Sequence, residues 1–86
     1  MRLHLHLVSD STGETLEALV KACVAQFEGV EPIKHYWPMV RSEGHVERVI
    51  GEIDRHGGLV LYTLVNVAVR ERLESRCRQL GIATVS

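Results

Sequence analysis

The sequence predicts an α/β fold, a three-layer open parallel sheet with the element order βαβαβαβ. Short apolar runs with strand character alternate with amphipathic stretches in which apolar residues recur at helical spacing. Strands and helices that alternate across short polar turns form parallel sheets with right-handed crossovers. The chain has 86 residues, of which 45 % are hydrophobic, so we expect one domain over residues 1–86.

The first half of the chain contains two strand–helix units. A strand is predicted over Leu3–Ser9 and a helix over Glu14–Phe27. A second strand is predicted over Ile33–Val40, and Ser42 opens a second helix that ends at His56–Gly58. The apolar face of the first helix is expected to comprise Leu16, Leu19, Val20, Cys23, Val24 and Phe27.

The second half repeats this pattern. Leu59–Val65 is almost wholly apolar, which is typical of a buried parallel strand. Asn66 is a good N-cap for a third helix, which Gly81 ends before a fourth strand over Ile82–Val85. The apolar stripe of the third helix comprises Val69, Leu73, Cys77 and Leu80.

Proline indicates the order of the strands. Pro38 lies in the predicted second strand, and because proline cannot donate to a sheet ladder, that strand should lie at an edge. The unbroken third strand should be central. The order 2-1-3-4, which is flavodoxin-like or Rossmann-like, meets both conditions, whereas the order 3-2-1-4 does not and ranks second.

Composition and charge exclude several classes of function. Ten Lys and Arg stand against eleven Asp and Glu, which gives no electrostatic footprint for nucleic acid or an anionic membrane. No apolar stretch approaches the ~20 residues of a membrane span, and no secretory signal opens the chain, so we expect a cytoplasmic protein. Cys23 and Cys77 lack the spacing of a disulfide framework and are expected to be small core residues.

The loop Ser9–Thr15, which reads SDSTGET, is the main candidate for a functional site. In an open α/β sheet, ligands bind beyond the carboxyl ends of the strands where the strand order reverses, here between strands one and three. Helix-terminal amides and hydroxyl groups in such a loop suit a phosphate group. The candidates for contact with phosphate or substrate are Ser11, Thr12, Gly13, Thr15, Asn66 and Arg70, with Asp10 as the candidate catalytic carboxylate.

The same loop also has a structural interpretation that needs no ligand. Ser11-Thr12-Gly13-Glu14 fits an S-x-x-E capping box, in which Ser11 and Glu14 satisfy each other's backbone amides. Asp10, Glu14 and Glu17 also place negative charge where a phosphate would lie. Asp10 can equally be a turn residue that binds its own backbone. Both interpretations of the loop stay open.

The sequence predicts neither a metal site nor a nucleotide site. His4 and His6 face the same side of a strand, a spacing that zinc sites use, but no third ligand lies near them in the sequence. The chain contains no G-x-G-x-x-G and no G-x-x-x-x-G-K-[ST] motif, so no P-loop and no cofactor are predicted within it.

Three stretches carry a resemblance to a known family. They read HLHLVSDSTGETLEALVKACVAQF, HYWPMVRSEGHVERVI and LVLYTLVNVAVRERLESRCRQLGI. In register and over nearly the whole chain, they resemble the N-terminal region of the regulatory proteins of pyruvate, phosphate dikinase and phosphoenolpyruvate synthase. The resemblance implies a bifunctional serine/threonine kinase and phosphotransferase. Such a protein uses ADP to phosphorylate a threonine of the dikinase or synthase, and inorganic phosphate to remove the phosphoryl group as pyrophosphate.

The resemblance also implies that part of the enzyme lies elsewhere. The nucleotide site of the family is a P-loop-like segment in the C-terminal half, and nothing in Met1–Ser86 matches it. We therefore expect this chain to be the N-terminal domain of a longer protein and to be inactive alone. ADP and inorganic phosphate are expected as substrates of the longer protein, with the dikinase or the synthase as its protein substrate and a second copy of the chain as a candidate partner.

Two alternatives remain open. Ser11–Thr15 resembles the T-x-T-G-x-T phosphate loop of flavodoxins. On this alternative the chain is an FMN-binding domain. Against this alternative, Val65-Asn66-Val67 brings no aromatic residue to stack on the flavin ring. The short fourth strand leaves a sheet edge uncovered, which instead fits a non-catalytic docking or dimerisation module.

Overall fold

The computed structural model describes residues 1–26 and 28–86 as a parallel sheet with helices on both faces. The seven elements are β1 (Arg2–Ser9), α1 (Glu14–Val24), β2 (Glu31–Trp37), α2 (Glu43–His56), β3 (Leu59–Thr63), α3 (Val67–Leu80) and β4 (Ala83–Val85). All strand pairs are parallel, and the strand order is β2-β1-β3-β4. The predicted fold class, element order and strand order are confirmed.

The alternation of side chains along β1 divides the interior into two layers, because successive residues of a strand point to opposite faces. Leu5 and Leu7 pack on one face against Leu16 and Val20 of α1. On the other face Val8 belongs to a larger core beneath α2 and α3. The buried residues of this larger core are Val8, Val40, Val46, Val49, Ile50, Ile53, Val60, Tyr62, Leu64, Val69, Leu73 and Cys77.

The caps of the second and third helices are those that the sequence predicts. The Ser42 hydroxyl accepts a hydrogen bond from the His45 amide at 3.1 Å. The Asn66 side-chain oxygen accepts one from the Val69 amide at 3.0 Å. Both bonds satisfy amides that a helix N-terminus otherwise leaves unpaired.

The capping box predicted at the start of the first helix is wrong. The residue before α1 is Gly13, which has a φ of 79° and makes no side-chain cap hydrogen bond. The Ser11 amide donates instead to the Ser9 hydroxyl at 3.1 Å, while the Glu17 amide closes the first helical turn on the Gly13 carbonyl. Because glycine tolerates this left-handed conformation, the chain enters the helix two residues later than a Ser11 cap requires.

The predicted apolar face of α1 is only partly correct. Leu16 and Val20 are buried, but Leu19 is 57 % exposed and Cys23 is also exposed. The expectation that both cysteines lie in the core therefore holds for Cys77 and is wrong for Cys23. Among the described residues, α1 is the one helix on its face of the sheet, so its flanks have no neighbour to pack against. Phe27, predicted on the same face, lies outside the described residues.

The edge position predicted for the second strand is correct, but the proline that fits it is a different one. Strand β2 ends at Trp37, so Pro38 lies beyond it, and the proline within the strand is Pro32. Trp37 packs against the larger core, whereas Tyr36 is 48 % exposed. An edge strand accommodates Pro32 because one side of its backbone has no strand partner.

Candidate functional site

Two loops meet at the carboxyl edge of the sheet, where β1 and β3 end side by side. The Asp10 carboxylate oxygen Oδ2 accepts a hydrogen bond from the Val65 amide at 2.8 Å. The Asp10 amide in turn donates to the Thr63 carbonyl at 3.4 Å. Asp10 thus joins the loop after β1 to the loop after β3 through both its side chain and its backbone.

A third loop, which follows β2, closes against the same edge. The Met39 amide donates to the Ser11 carbonyl and the Val40 amide to the Ser9 carbonyl, each at 2.9 Å. These bonds continue the pairing of β2 with β1 beyond the ends of the strands. They place Arg41 over the first loop, where its Nε donates to the Asp10 carbonyl at 2.9 Å.

The three loops surround a shallow pocket of about 360 Å³, which we call the crevice. It is lined by Asp10, Val40, Arg41, Val65, Asn66 and Val69. Its polar groups are one carboxylate, one guanidinium and the amide side chain that caps α3, and the rest of its lining is valine. The guanidinium and the adjacent N-terminus of α3 suit an anion, whereas the Asp10 carboxylate already accepts from a backbone amide.

The structure brings some of the predicted site residues together and separates others. Asp10 and Asn66 both line the crevice. The hydroxyl residues of the first loop, Ser11, Thr12 and Thr15, are exposed beside it. Gly13 takes the last position before α1. Whether these residues bind a phosphate stays a prediction.

Arg70 lies in a second pocket, of about 470 Å³, rather than in the crevice. This pocket is lined by Tyr62, Thr63, Leu64, Val65, Arg70, Glu74 and Ser86. The Tyr62 hydroxyl donates to the Glu74 carboxylate. Burial, together with this bond, raises the pKa of Tyr62 to about 12, so the phenol keeps its proton near neutral pH.

Sequence reasoning missed Arg41. It considered the loops after the first and third strands, since these flank the point where the strand order reverses. The carboxyl ends of all parallel strands nevertheless lie at one edge of the sheet, so the first charged side chain after β2 was a further candidate.

A second group of polar residues, the histidine cluster, lies on the α2 side of the sheet. It comprises His4, His6, His35 and His56. Burial lowers the pKa of His6 although the Gly57 carbonyl opposes the shift; burial and then the neighbouring histidines lower that of His35. Sequence reasoning considered His4 and His6 alone, because His35 and His56 come from other elements and meet them only through the strand register and the turn after α2.

The fold and the crevice together define the class of the protein. It is an open parallel α/β domain whose polar pocket lies at the carboxyl edge, beside the point where the strand order reverses. Among the described residues, no helix is both long and apolar enough to cross a membrane.

Sequence comparison then identifies the family. Residues 5–86 match the sequence model of the kinase/pyrophosphorylase family, and the chain belongs to that family. It is 65 % identical over 86 residues to a protein of Rhizorhabdus wittichii, 61 % over 85 to one of Novosphingobium aromaticivorans, and 55 % over 85 to one of Sphingopyxis alaskensis. All three are named as pyruvate, phosphate dikinase regulatory proteins, which confirms the resemblance seen in the sequence. The matches cover 99–100 % of this chain but only 30–32 % of these relatives, so the chain spans about a third of their length.

Proposed function

We propose that this chain is the N-terminal domain of a bifunctional enzyme that switches pyruvate, phosphate dikinase or phosphoenolpyruvate synthase off and on. In the first reaction, a threonine hydroxyl of the target takes the terminal phosphoryl group of ADP and AMP leaves. In the second, inorganic phosphate takes that phosphoryl group and leaves as pyrophosphate, which restores the threonine. The observation that carries the proposal is the family match over residues 5–86, together with the names of the relatives.

The domain contributes the crevice to this enzyme. Arg41 supplies a guanidinium that can pair with a phosphoryl group, and a bidentate arginine–phosphate pair is both strong and directional. Ser11, Thr12, Gly13 and Thr15 border the same edge and are candidates for contact with the target or its phosphate. Asp10 holds the loops in place and is therefore a positioning residue in this proposal.

The nucleotide site belongs to the remainder of the enzyme. No P-loop motif occurs in the sequence of this chain, and the relatives extend well beyond the matched region. In this proposal ADP and inorganic phosphate are substrates of the whole enzyme, and the 86-residue chain alone is inactive.

Phosphoryl transfer to the target tests this proposal. The full-length protein that contains this chain is incubated with purified dikinase, and separately with the synthase, in the presence of ADP. Mass spectrometry should detect one phosphothreonine in one of the two targets, and inorganic phosphate should remove it with release of pyrophosphate. The 86-residue chain alone is the control and should be inactive. If neither target is phosphorylated with ADP, the proposed function is wrong.

A further inference from the structure

The histidine cluster lies away from the crevice. His4 precedes Ser9, the last residue of β1, by five positions, which corresponds to roughly 16 Å along a strand. The rings of His4, His35 and His56 are mutually close, with centroid separations of 5.1, 5.0 and 4.8 Å. The crevice and the cluster are therefore separate sites, and the function proposed above makes no use of the cluster.

Three different elements hold these rings together. His4 lies on β1, His35 on β2, and His56 is the last residue of α2. The turn after α2 packs directly on β1, since a Cβ atom at Gly58 would lie 2.1 Å from the His4 carbonyl oxygen. Glycine at this position is what lets the end of α2 approach His4 so closely.

His6 supports the cluster and is not available as a ligand. It is fully buried, and its Nε2 lies 3.0 Å from the Gly57 carbonyl oxygen, which can only accept. The indole Nε1 of Trp37, which can only donate, lies 3.4 Å from His6 Nδ1. Both ring nitrogens are thus occupied and the ring is neutral, with its proton on Nε2. His6 fixes the turn after α2 beside the other three histidines.

The other three histidines have the spacing of metal ligands. One ring nitrogen from each of His4, His35 and His56 lies within 4.8 Å of the other two. Zinc–nitrogen bonds of 2.0–2.1 Å in a tetrahedral site place such nitrogens about 3.4 Å apart, so rotation of the rings has to close the longest separation by up to about 1.4 Å. His4 Nδ1 and His35 Nε2 are already 2.8 Å apart. One of these two nitrogens carries the proton of their hydrogen bond. A change of tautomer moves that proton to the other nitrogen of its ring, which frees both facing nitrogens to bind a metal.

The charge around the cluster also suits a cation. Glu52 lies one turn before His56 on α2, and its carboxylate oxygen is 4.0 Å from His56 Nε2 and 3.7 Å from Arg55 Nη1, so it also balances the charge of that arginine. His4 and His35 are half-buried, which limits their hydration, while His56 is exposed and leaves one side of the group open to solvent. Neutral imidazoles favour Zn²⁺, Cu²⁺ and Ni²⁺ over Mg²⁺ and Ca²⁺, which prefer oxygen ligands.

We propose that His4, His35 and His56 bind a divalent transition metal ion, Zn²⁺ in the first instance, with water as the fourth ligand and Glu52 beside it. The ion fastens the C-terminus of α2 to β1 and β2. Because binding requires the folded arrangement of three elements, the metal stabilises the fold.

Zinc titration of the metal-free chain tests this site. After removal of metal with a chelator, Zn²⁺ is titrated in competition with a chromophoric chelator, and the thermal midpoint of unfolding is measured with and without Zn²⁺. We expect one equivalent to bind and the midpoint to rise, with no rise in Mg²⁺. His56→Gln removes an exposed ligand without disturbing the core and should weaken binding at least ~10-fold.

Two control variants separate this site from other zinc ligands. His45→Gln changes a histidine at the opposite end of α2, roughly 16 Å along the helix, and Cys23→Ser removes the exposed thiol. Both should keep the wild-type affinity, and His35→Gln should behave as His56→Gln does. The proposal is overturned if no saturable binding of one equivalent occurs, or if either control weakens binding as much as His56→Gln. Circular dichroism verifies that each variant is folded.

Discussion

The Asp10 carboxylate accepts a 2.8 Å hydrogen bond from the backbone amide of Val65, 55 positions further along the chain. The Asp10 carbonyl accepts from Arg41 at 2.9 Å. One residue therefore joins the loops that follow β1, β2 and β3. These hydrogen bonds hold the three loops around the crevice and fix the Arg41 guanidinium beside Asp10.

Asp10→Ala should destabilise the domain, because it leaves the Val65 amide without its acceptor. Because Val65 is 82 % exposed and water can replace the carboxylate, we expect a loss of about 0.5–1.5 kcal/mol in the free energy of unfolding, measured by urea denaturation. Asp10→Asn keeps an acceptor oxygen and should lose less. Asp54→Ala, on the exposed surface of α2, is the control and should stay within about 0.5 kcal/mol of the wild type. Equal losses in Asp10→Ala and Asp54→Ala would show that the junction is energetically unimportant.

Gly58→Ala should be severely destabilising. The added Cβ would lie 2.1 Å from the His4 carbonyl oxygen, and the φ of 104° is unfavourable for alanine. We expect a loss of at least about 3 kcal/mol. Gly51→Ala is the matched control, since Gly51 lies within α2 and a Cβ there meets open space. It should gain about 0.5–1 kcal/mol from helix propensity, and a similar result for both variants would refute the close approach of the turn to β1.

The two cysteines should differ strongly in reactivity. Cys23 is exposed, whereas Cys77 is fully buried in the larger core. A thiol reagent should label one cysteine rapidly in the native protein and the other only as the protein unfolds. Cys23→Ser should abolish the rapid phase. Rapid labelling of two thiols in the wild type would mean that the core beneath α3 is open.

Cys77 should also make stability depend on alkaline pH. Burial raises the pKa of the Cys77 thiol from 9.0 to about 11. As pH rises from 9 to 11, the unfolded thiol ionises while the folded one stays protonated, so the free energy of unfolding falls. The contribution of this group to the fall is about 2–3 kcal/mol.

A variant without the thiol isolates this contribution. In the background Cys23→Ser, the pH profile of stability is compared with that of Cys23→Ser combined with Cys77→Ala, under reducing conditions. The second protein is less stable at every pH because it has a cavity, but its stability should fall less steeply between pH 9 and 11. Parallel profiles would contradict the raised pKa.

Most of the fold could be predicted because it follows from patterns that burial imposes on the sequence. The third strand is an apolar run, and Ser42 and Asn66 stand where helix N-termini need acceptors. The strand order followed from the edge position of the second strand, although Pro38, from which that position was predicted, lies beyond the end of β2. The start of α1 could not be predicted in this way. Ser11 fits the sequence pattern of a helix cap, but in the structure its amide bonds to the Ser9 hydroxyl, and the left-handed backbone of Gly13 starts the helix two residues later.

The sites were harder to predict than the fold, because their residues come from separate elements. Asp10 and Asn66 were found because they lie in the loops that follow β1 and β3, on either side of the switch point, but Arg41 reaches the crevice through the loop after β2. The histidine cluster needs the register that sets His6 beside His35, and the close turn at Gly58. Neither the strand register nor the close turn can be recognised from residue spacing in the sequence.

The central claim is that the crevice takes part in phosphoryl transfer. The most direct test is the effect of Arg41→Ala on phosphoryl transfer by the full-length protein. We predict at least a tenfold decrease in kcat/KM for the target protein, with partial recovery in Arg41→Lys, which keeps the charge but loses the bidentate geometry. Arg48→Ala, which removes an exposed arginine of α2, is the control and should leave kcat/KM unchanged. If Arg41→Ala transfers phosphoryl groups as fast as Arg48→Ala, the crevice has no part in the reaction.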